Sequence, residues 1–175
     1  MRTEIETERL ILRNASQEDC GFSKGNHWFR YRTGAFILHD GKLLFIKSKF
    51  GGYYYMIGGA VHLGETSADC VVREVREEAG LETKVDRLTV VTENFFKGRD
   101  GVFDGRDCHV LEFYYILSIQ NANGLKDVTD DGEELCWIPV NEVKNAEIKP
   151  SFIPERIEEI LESRSILHII EERDR

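Results

Sequence analysis

The sequence lacks long apolar runs, and this absence argues against a membrane-spanning helix. Apolar stretches such as "AFIL" at 35–38 are far shorter than the roughly 20 residues that cross a bilayer. The polar start "MRTEIETER" also lacks the apolar core of a signal peptide. We therefore expect a cytoplasmic protein with no membrane partner.

Cysteine is scarce, and its spacing argues against a zinc site or a disulfide framework. The four cysteines are scattered, with no C-x-x-C pair and no histidine cluster beside them. They are Cys20, Cys70, Cys108 and Cys136. We expect all four to be buried, reduced thiols.

Positive charge is also in short supply, which argues against duplex nucleic acid as a partner. Lys and Arg total 23 against 32 for Asp and Glu, so the formal charge is −9. The balance is uneven, because six basic residues between 23 and 50 face Asp40 alone. These are Lys24, Arg30, Arg32, Lys42, Lys47 and Lys49. This segment is suited to a polyanionic ligand.

The 175 residues, 41% of them hydrophobic, are typical of one globular domain with a substantial core. Two apolar runs joined by Asp40-Gly41 predict a β-hairpin within residues 30–49. The stretch "YYYMIGG" predicts a short strand that ends in paired glycines, where a backbone can approach a ligand closely. No internal repeat or long linker divides the chain.

An amphipathic helix is predicted from Thr66 or Ser67 to Ala79. Both hydroxyl residues are suitable N-caps, and Gly80 supplies a stop. Apolar residues recur at helical spacing at positions 68, 71, 72, 75 and 79. Beyond this helix, "KVDRLTVVTENFF", "CHVLEFYYILSI" and "LCWIPV" predict strands, "IPERIEEILES" predicts a helix opened by Pro154, and "SILHII" is a last apolar run.

Three glutamates crowd one face of the predicted helix. In projection Glu78 lies about 40° from Glu74, and Glu77 lies about 60° from it on the other side. The three carboxylates can converge on a hard cation such as Mg²⁺, which prefers oxygen ligands and substrate phosphates. A solvated acidic face is the alternative, because exposed like-charge pairs at this spacing cost only about 0.2–0.5 kcal/mol each.

The surrounding residues resemble the signature of the Nudix hydrolases at every defined position. The pattern is Gly59, five residues, Glu65, seven residues, Arg73-Glu74, the apolar Val75, Arg76, Glu77-Glu78, Ala79, Gly80 and the apolar Leu81. The resemblance implies an α+β fold in which a mixed β-sheet lies between helices. It also implies hydrolysis of a diphosphate linked to another group X, usually a nucleoside, so the expected partner is a small nucleoside diphosphate derivative.

The resemblance also implies roles for residues of the motif. Glu74, Glu77 and Glu78 would bind Mg²⁺ or Mn²⁺, together with a carbonyl from Gly59 or its neighbour Gly58. Glu65 and Arg73 would brace the loop against the helix. The predicted catalytic residues are Glu65, Arg73 and Glu74, with Glu74 as the first candidate for the general base. A loop acid, Asp130, Asp131 or Glu133, is the rival.

A substrate pocket is predicted from charge mixed with aromatic residues. The substrate-binding candidates are Arg30, Arg32, Tyr55 and Glu133. The aromatic residues of 28–31 and 53–55 offer stacking surfaces for a base, although alternate strand residues face opposite sides and core packing is the alternative for each. Ile57 stands where many family members carry proline, and "FFKGR" downstream lacks the family's crude substrate markers. The group X therefore stays open.

We expect an N-terminal extension over residues 1–28 and a Nudix domain over 29–175. The stretch "ETERLILR" predicts an added strand at a sheet edge or a dimer contact, so a homodimer is compatible with the sequence. The main functional alternative is a nucleotide sensor that has the fold but no catalysis. A structural module whose acidic helix faces water is the third interpretation.

Overall fold

A computed structural model of the chain describes residues 18–49, 51–98 and 103–172. The strand predicted in "ETERLILR" lies outside these residues. The strands are β1 Gly21–Lys24, β2 His27–His39, β3 Lys42–Lys47, β4 Tyr54–Tyr55, β5 Glu82–Lys97, β6 Asp107–Asn121, β7 Glu134–Pro139, β8 Ile148–Lys149 and β9 Leu167–Glu172. The helices are α1 Ser67–Ala79, α2 Val140–Val143 and α3 Phe152–Glu162.

The nine strands form one mixed sheet in the order β8-β4-β3-β2-β6-β5-β9, with β1 paired to β2 and β7 paired to β3. Strands β2 and β6 are parallel along most of their length, whereas β5 and β6 are antiparallel. Helix α1 packs on one hydrophobic cluster and α3 on the other. The predicted α+β fold, with a mixed sheet between helices, is therefore confirmed.

Successive side chains of β2 point to opposite faces of the sheet, so this strand contributes to both hydrophobic clusters. Phe36 belongs to the cluster under α3, and its neighbour Ile37 belongs to the cluster under α1. Both side chains are fully buried. On β6, Tyr114 and Tyr115 divide in the same way.

The predicted β-hairpin is confirmed as β2 and β3. Asp40 and Gly41 form its two-residue loop with φ of 47° and 72°. Two consecutive positive φ values match the twist of the flanking strands, and Asp-Gly is a preferred sequence for them.

The predicted amphipathic helix is confirmed as α1. The Thr66 side chain accepts a hydrogen bond from the Asp69 backbone N–H, and Gly80 ends the helix in the left-handed conformation with φ of 69°. Val71 and Val75 are fully buried beneath it. The glutamates flank this apolar stripe, so Glu74 and Glu78 are half-buried whereas Glu77 is exposed.

The later elements also follow the sequence pattern, with three additions. Strands β5, β6, β7 and β9 and helix α3 occur where they were predicted, and α3 begins two residues before Pro154. The short elements β1, α2 and β8 were not predicted, because two to four residues contain too little periodicity. Strand β1 pairs with β2 although it lies in the predicted extension, and the division at residue 28 stays a prediction.

Two smaller expectations are resolved by the structure. All four cysteines are free, as expected, but only Cys70 and Cys108 are buried, whereas Cys20 and Cys136 are half-buried. Among the residues that the structure describes, none of the helices has the length and apolarity that a bilayer crossing requires.

Candidate active site

The paired glycines bring the start of the motif against β2. The Gly59 carbonyl accepts a hydrogen bond of 2.9 Å from the Thr33 backbone N–H, so this segment extends the sheet. A Cβ on Gly59 would overlap the Glu74 carboxylate, so a larger residue at this position would displace the Glu74 side chain. The Gly59 carbonyl was a predicted metal ligand, and its oxygen can accept a second contact beside the one from Thr33.

Arg73 ties the motif loop to the helix. Its Nε and Nη2 atoms donate to the two Glu65 oxygens at 2.8 and 3.0 Å, and Nη2 also donates to the Ala60 carbonyl at 3.2 Å. The hydrogen bonds from Arg73 lower the pKa of Glu65 to about 2, in spite of partial burial. These contacts join the motif loop to the helix, and the bracing role of Glu65 and Arg73 stays a prediction.

Arg73 also reaches two of the three predicted metal ligands. Its Nη1 atom lies 2.7 Å from Glu74 Oε1 and 3.2 Å from Glu77 Oε2. Glu74 is largely buried, with 14% of its side chain exposed, and Glu77 is 51% exposed. The arginine therefore neutralises part of the acidic face.

Glu78 is the least satisfied of the three glutamates. Within the described part of the chain, its buried Oε2 atom has no hydrogen-bond partner. Burial, and secondarily the charge of Glu74, raise the pKa of Glu78 to about 7. A buried carboxylate oxygen without a partner costs roughly 1–3 kcal/mol, so this position favours an added positive charge.

The three carboxylates do not yet form a coordination sphere. In residues 18–49, 51–98 and 103–172, no three His, Cys, Asp or Glu side chains are placed so as to hold a metal ion. This differs from the predicted convergence, because the Arg73 guanidinium occupies the Glu74 and Glu77 oxygens. The donor set still fits a hard divalent cation, since it offers carboxylate oxygens and an unpartnered Glu78 Oε2.

A cavity of about 670 Å³, within the range of small-molecule sites, lies beside the paired glycines, since Arg32 in its wall donates to the Gly58 carbonyl. It contains all four predicted substrate-binding residues, Arg30, Arg32, Tyr55 and Glu133. Its lining also includes Lys97 and Lys149, which were not predicted. The structure thus brings four cationic side chains to one cavity in a protein with a formal charge of −9.

A buried ionic cluster connects the cavity to the motif. Arg32 Nη1 lies 3.7 Å from Glu112 Oε1, and Arg32 Nη2 donates to the Gly58 carbonyl at 3.4 Å. The Tyr114 hydroxyl donates to Glu112 Oε2 at 3.1 Å. Burial raises the pKa of Glu112, although Arg32 opposes this shift. Sequence reasoning missed Glu112, whose only signal was a charged residue within an apolar strand.

The three acidic candidates of the loop before β7 differ in placement. Glu133 lines the cavity, and it accepts hydrogen bonds from the Tyr55 hydroxyl and, at 3.2 Å, from the Lys49 backbone N–H. Asp130 is 77% exposed and pairs with Lys126 at 2.6 Å. The Asp131 backbone carbonyl accepts from the Lys49 ammonium group at 2.8 Å. Glu133 is therefore the best placed rival for the general base.

The aromatic residues divide between the faces as strand alternation requires. Trp28, Tyr53 and Tyr55 line the cavity, whereas Phe29 and Tyr31 line a shallow groove elsewhere. Only the first group is available for stacking on a ligand in the cavity.

The sheet, the capped helix and the motif loop together define the class of the protein. Residues 28–156 match the family model of the NUDIX domain, which is more than half of the chain. The chain therefore belongs to the NUDIX family, and the resemblance drawn from its motif is confirmed.

Two relatives from other organisms are similar in sequence. A MutT-like protein of Streptomyces ambofaciens is 40% identical over 111 residues, which are 63% of this chain and 64% of that protein. An ADP-ribose pyrophosphatase of Methanocaldococcus jannaschii is 34% identical over 108 residues, which are 60% of this chain and 59% of that protein. The chain thus spans less than two thirds of the length of each.

Solved structures share the fold at low sequence identity. A UDP-X diphosphatase superimposes with a TM-score of 0.64 at 13% identity, covering 97% of this chain and 76% of the other. An ADP-ribose pyrophosphatase from Streptococcus suis gives a TM-score of 0.57 at 16% identity, covering 81% and 98%. At these identities the likeness concerns the fold alone.

Proposed function

We propose that the protein is a pyrophosphohydrolase that depends on a divalent metal and cleaves the P–O–P bridge of a nucleoside diphosphate linked to another group. The observation that carries this proposal is the position of the complete motif. Arg32 joins this motif to the cavity through its contact with the Gly58 carbonyl, and the cavity also presents Arg30, Tyr55 and Glu133. The name of the Methanocaldococcus relative, an ADP-ribose pyrophosphatase, supports the same class of reaction.

The residues that would hold Mg²⁺ or Mn²⁺ are Glu74, Glu77 and Glu78, with a carbonyl from Gly59. When bound there, the cation neutralises phosphate charge and lowers the pKa of a water molecule. Binding requires Glu74 and Glu77 to exchange part of their contact with Arg73, which keeps both Glu65 contacts as its anchor.

The other side chains bind and orient the substrate. Arg30 and Arg32 contribute the positive charge that a diphosphate needs. The Tyr55 hydroxyl fixes the Glu133 carboxylate at the cavity wall. A proton leaves the attacking water for a carboxylate, and Glu74 and Glu133 are the two candidates for that general base.

A substrate panel tests the proposal. Purified protein is incubated with nucleoside triphosphates, ADP-ribose, dinucleoside polyphosphates and nucleotide sugars, each with Mg²⁺ or Mn²⁺. We expect turnover of at least one compound in metal and none in chelator. In parallel, Mn²⁺ should raise the melting temperature by mass action.

The alternatives give different results in the same two measurements. Nucleotide binding by calorimetry with no turnover would instead identify a sensor. A melting temperature that Mn²⁺ does not change, together with no turnover, would identify a structural module with a solvated acidic face.

A further inference from the structure

Strand register places four polar side chains around Val110 on the cavity side of the sheet. Across β2 and β6, Arg30 pairs with Val110 and Arg32 pairs with Glu112. Across β6 and β5, Asn94 pairs with Val110. Paired residues point to the same face, so two arginines lie on the β2 side and Asn94 lies on the β5 side. The two arginines and Asn94 therefore lie on opposite sides of Val110 in the cavity, with Lys97 at the far end of β5.

Asn94 carries a buried side-chain acceptor in the cavity wall. Its Oδ1 atom is buried, and no hydrogen-bond partner for it exists among the described residues. Buried polar side chains nearly always have a partner, and an unmet acceptor costs roughly 1–3 kcal/mol. Because Asn94 lines the cavity, a ligand that donates a hydrogen bond would remove this cost.

Glu112 adds a second acceptor beside Asn94. Asn94 and Glu112 are diagonal neighbours across β5 and β6, a placement that separates side chains by about 7–8 Å. Only 7% of Glu112 is exposed. Tyr114 donates to its Oε2 atom, whereas Oε1 has Arg32 at the longer distance of 3.7 Å. One edge of the cavity is thus rich in acceptors.

Aromatic rings border this acceptor-rich edge. The Trp28 and Phe103 ring centroids are 4.3 Å apart, and both rings line the cavity. Phe96 also lines the cavity, two residues beyond Asn94 on the same face of β5. Flat apolar rings match a planar base, whereas a sugar would use the acceptors but leave most of the aromatic surface unpaired.

We propose that Asn94, assisted by Glu112, is a specificity-determining residue that selects a nucleobase with an exocyclic amino group. This inference rests on the proposed function for the presence of a nucleotide. The phosphates lie at Arg30 and Arg32, and the base extends toward β5. An amino group donates to Asn94 Oδ1, whereas a carbonyl oxygen in its place meets a second acceptor and is rejected.

Equilibrium binding tests the base preference separately from hydrolysis. The probes are the α,β-methylene analogues of ADP, IDP, CDP and UDP, whose P–C–P bridge is not cleaved. Calorimetry in Mg²⁺ gives Kd for each of them. We expect the amino-bearing member of each pair, adenine against hypoxanthine and cytosine against uracil, to bind the protein about tenfold more tightly or better.

Substitutions of Asn94 separate the effect of its hydrogen bond on base preference from the effect of its shape. Asn94→Leu keeps the side-chain volume and removes the acceptor. The ratio of the two Kd values within each pair should therefore fall to about onefold. Asn94→Asp keeps an acceptor and should retain the preference. Asn145→Leu, at an exposed residue after α2, is the matched control and should bind as the parent protein does. Melting curves of each variant establish that it folds.

Several outcomes overturn the inference while leaving the proposed function intact. These are an equal or reversed preference in the parent protein, a preference that survives Asn94→Leu, and a preference inverted in Asn94→Asp. Failure of all four analogues to bind overturns it too. Turnover in the substrate panel is scored separately, so hydrolysis without base preference contradicts only the role of Asn94.

Discussion

At the scale of single residues, the buried carboxylate of Glu78 lowers the stability of the folded protein. Its pKa is raised to about 7 by burial and by Glu74, so its charged form destabilises the folded protein at neutral pH. In chelator at pH 8, Glu78→Gln should therefore raise the free energy of unfolding by about 1–3 kcal/mol. Urea unfolding measures this change.

The same variant should lose the metal response. We expect Glu78→Gln to abolish the Mn²⁺ shift in melting temperature and to lower kcat by at least about a hundredfold, because a ligand is lost. Glu82→Gln, at an exposed residue after the helix, should change neither quantity. Retained activity in Glu78→Gln would contradict the metal assignment.

The pKa of Glu65 is shifted in the direction opposite to that of Glu78. Hydrogen bonds from Arg73 lower its pKa to about 2, so its contribution to stability is complete above pH 4.5 and is lost as the pH falls toward 2. Glu65→Gln should cost about 1–3 kcal/mol at pH 7 and almost nothing near pH 2. Urea unfolding at pH 7, 4 and 2.5 measures the difference.

Exposed Glu147 supplies the control for that series. Glu147→Gln should leave the unfolding free energy within about 0.5 kcal/mol of the parent at every pH. A cost for Glu65→Gln that stays the same at all three pH values would show that the ion pair is not its origin.

The choice of general base also belongs to single residues. Glu133 receives hydrogen bonds from the Tyr55 hydroxyl and the Lys49 backbone, whereas Glu74 is bonded to Arg73. If Glu133 is the base, Glu133→Gln should lower kcat by about a hundredfold or more, while Mn²⁺ stabilisation persists. Loss of Mn²⁺ stabilisation with kcat would instead assign Glu133 to metal binding.

At the scale of elements, helix α1 positions the glutamates, and the residue that caps its N-terminus stabilises it. The Thr66 hydroxyl accepts from the Asp69 backbone N–H at 3.1 Å, which satisfies one of the free donors of the first turn. Thr66→Ala should lower the unfolding free energy by about 1 kcal/mol, whereas Thr66→Ser should lower it by less than half of that. Thermal unfolding of both variants compares them, and equal losses would exclude the cap as the cause.

At the scale of the whole molecule, the charge of the cavity differs from the charge of the protein, which is acidic overall. The formal charge of −9 repels anions, yet the cavity contains Arg30, Arg32, Lys97 and Lys149 against Glu112 and Glu133. Association with an anionic substrate should therefore weaken with salt. Between 20 and 200 mM KCl, kcat/KM should fall about three- to tenfold, mainly through KM.

Arg30→Gln tests the origin of that salt dependence. The variant should raise KM at low salt and give a shallower slope, because one of the cavity cations is gone. A parent protein whose kcat/KM is independent of salt would show that the cavity charges do not attract the substrate.

The sequence by itself determined the elements whose pattern is local. Asp40-Gly41 predicted the hairpin, and the caps Thr66 and Gly80 with the spacing of Val71 and Val75 predicted α1. The motif predicted the family for the same reason, since all its defined residues lie within 23 consecutive positions. Turn conformation, capping and helical periodicity depend on neighbours in the chain, which a sequence shows directly.

Only the tertiary structure decided what faces what across the sheet. It joined Arg32 to Glu112, 80 positions away in the chain, and within the described residues it left Glu78 Oε2 without a hydrogen-bond partner. It also placed Asn94 in the cavity wall. These contacts follow from strand order and register, which depend on how distant segments bury their apolar faces together, and no local pattern encodes that arrangement.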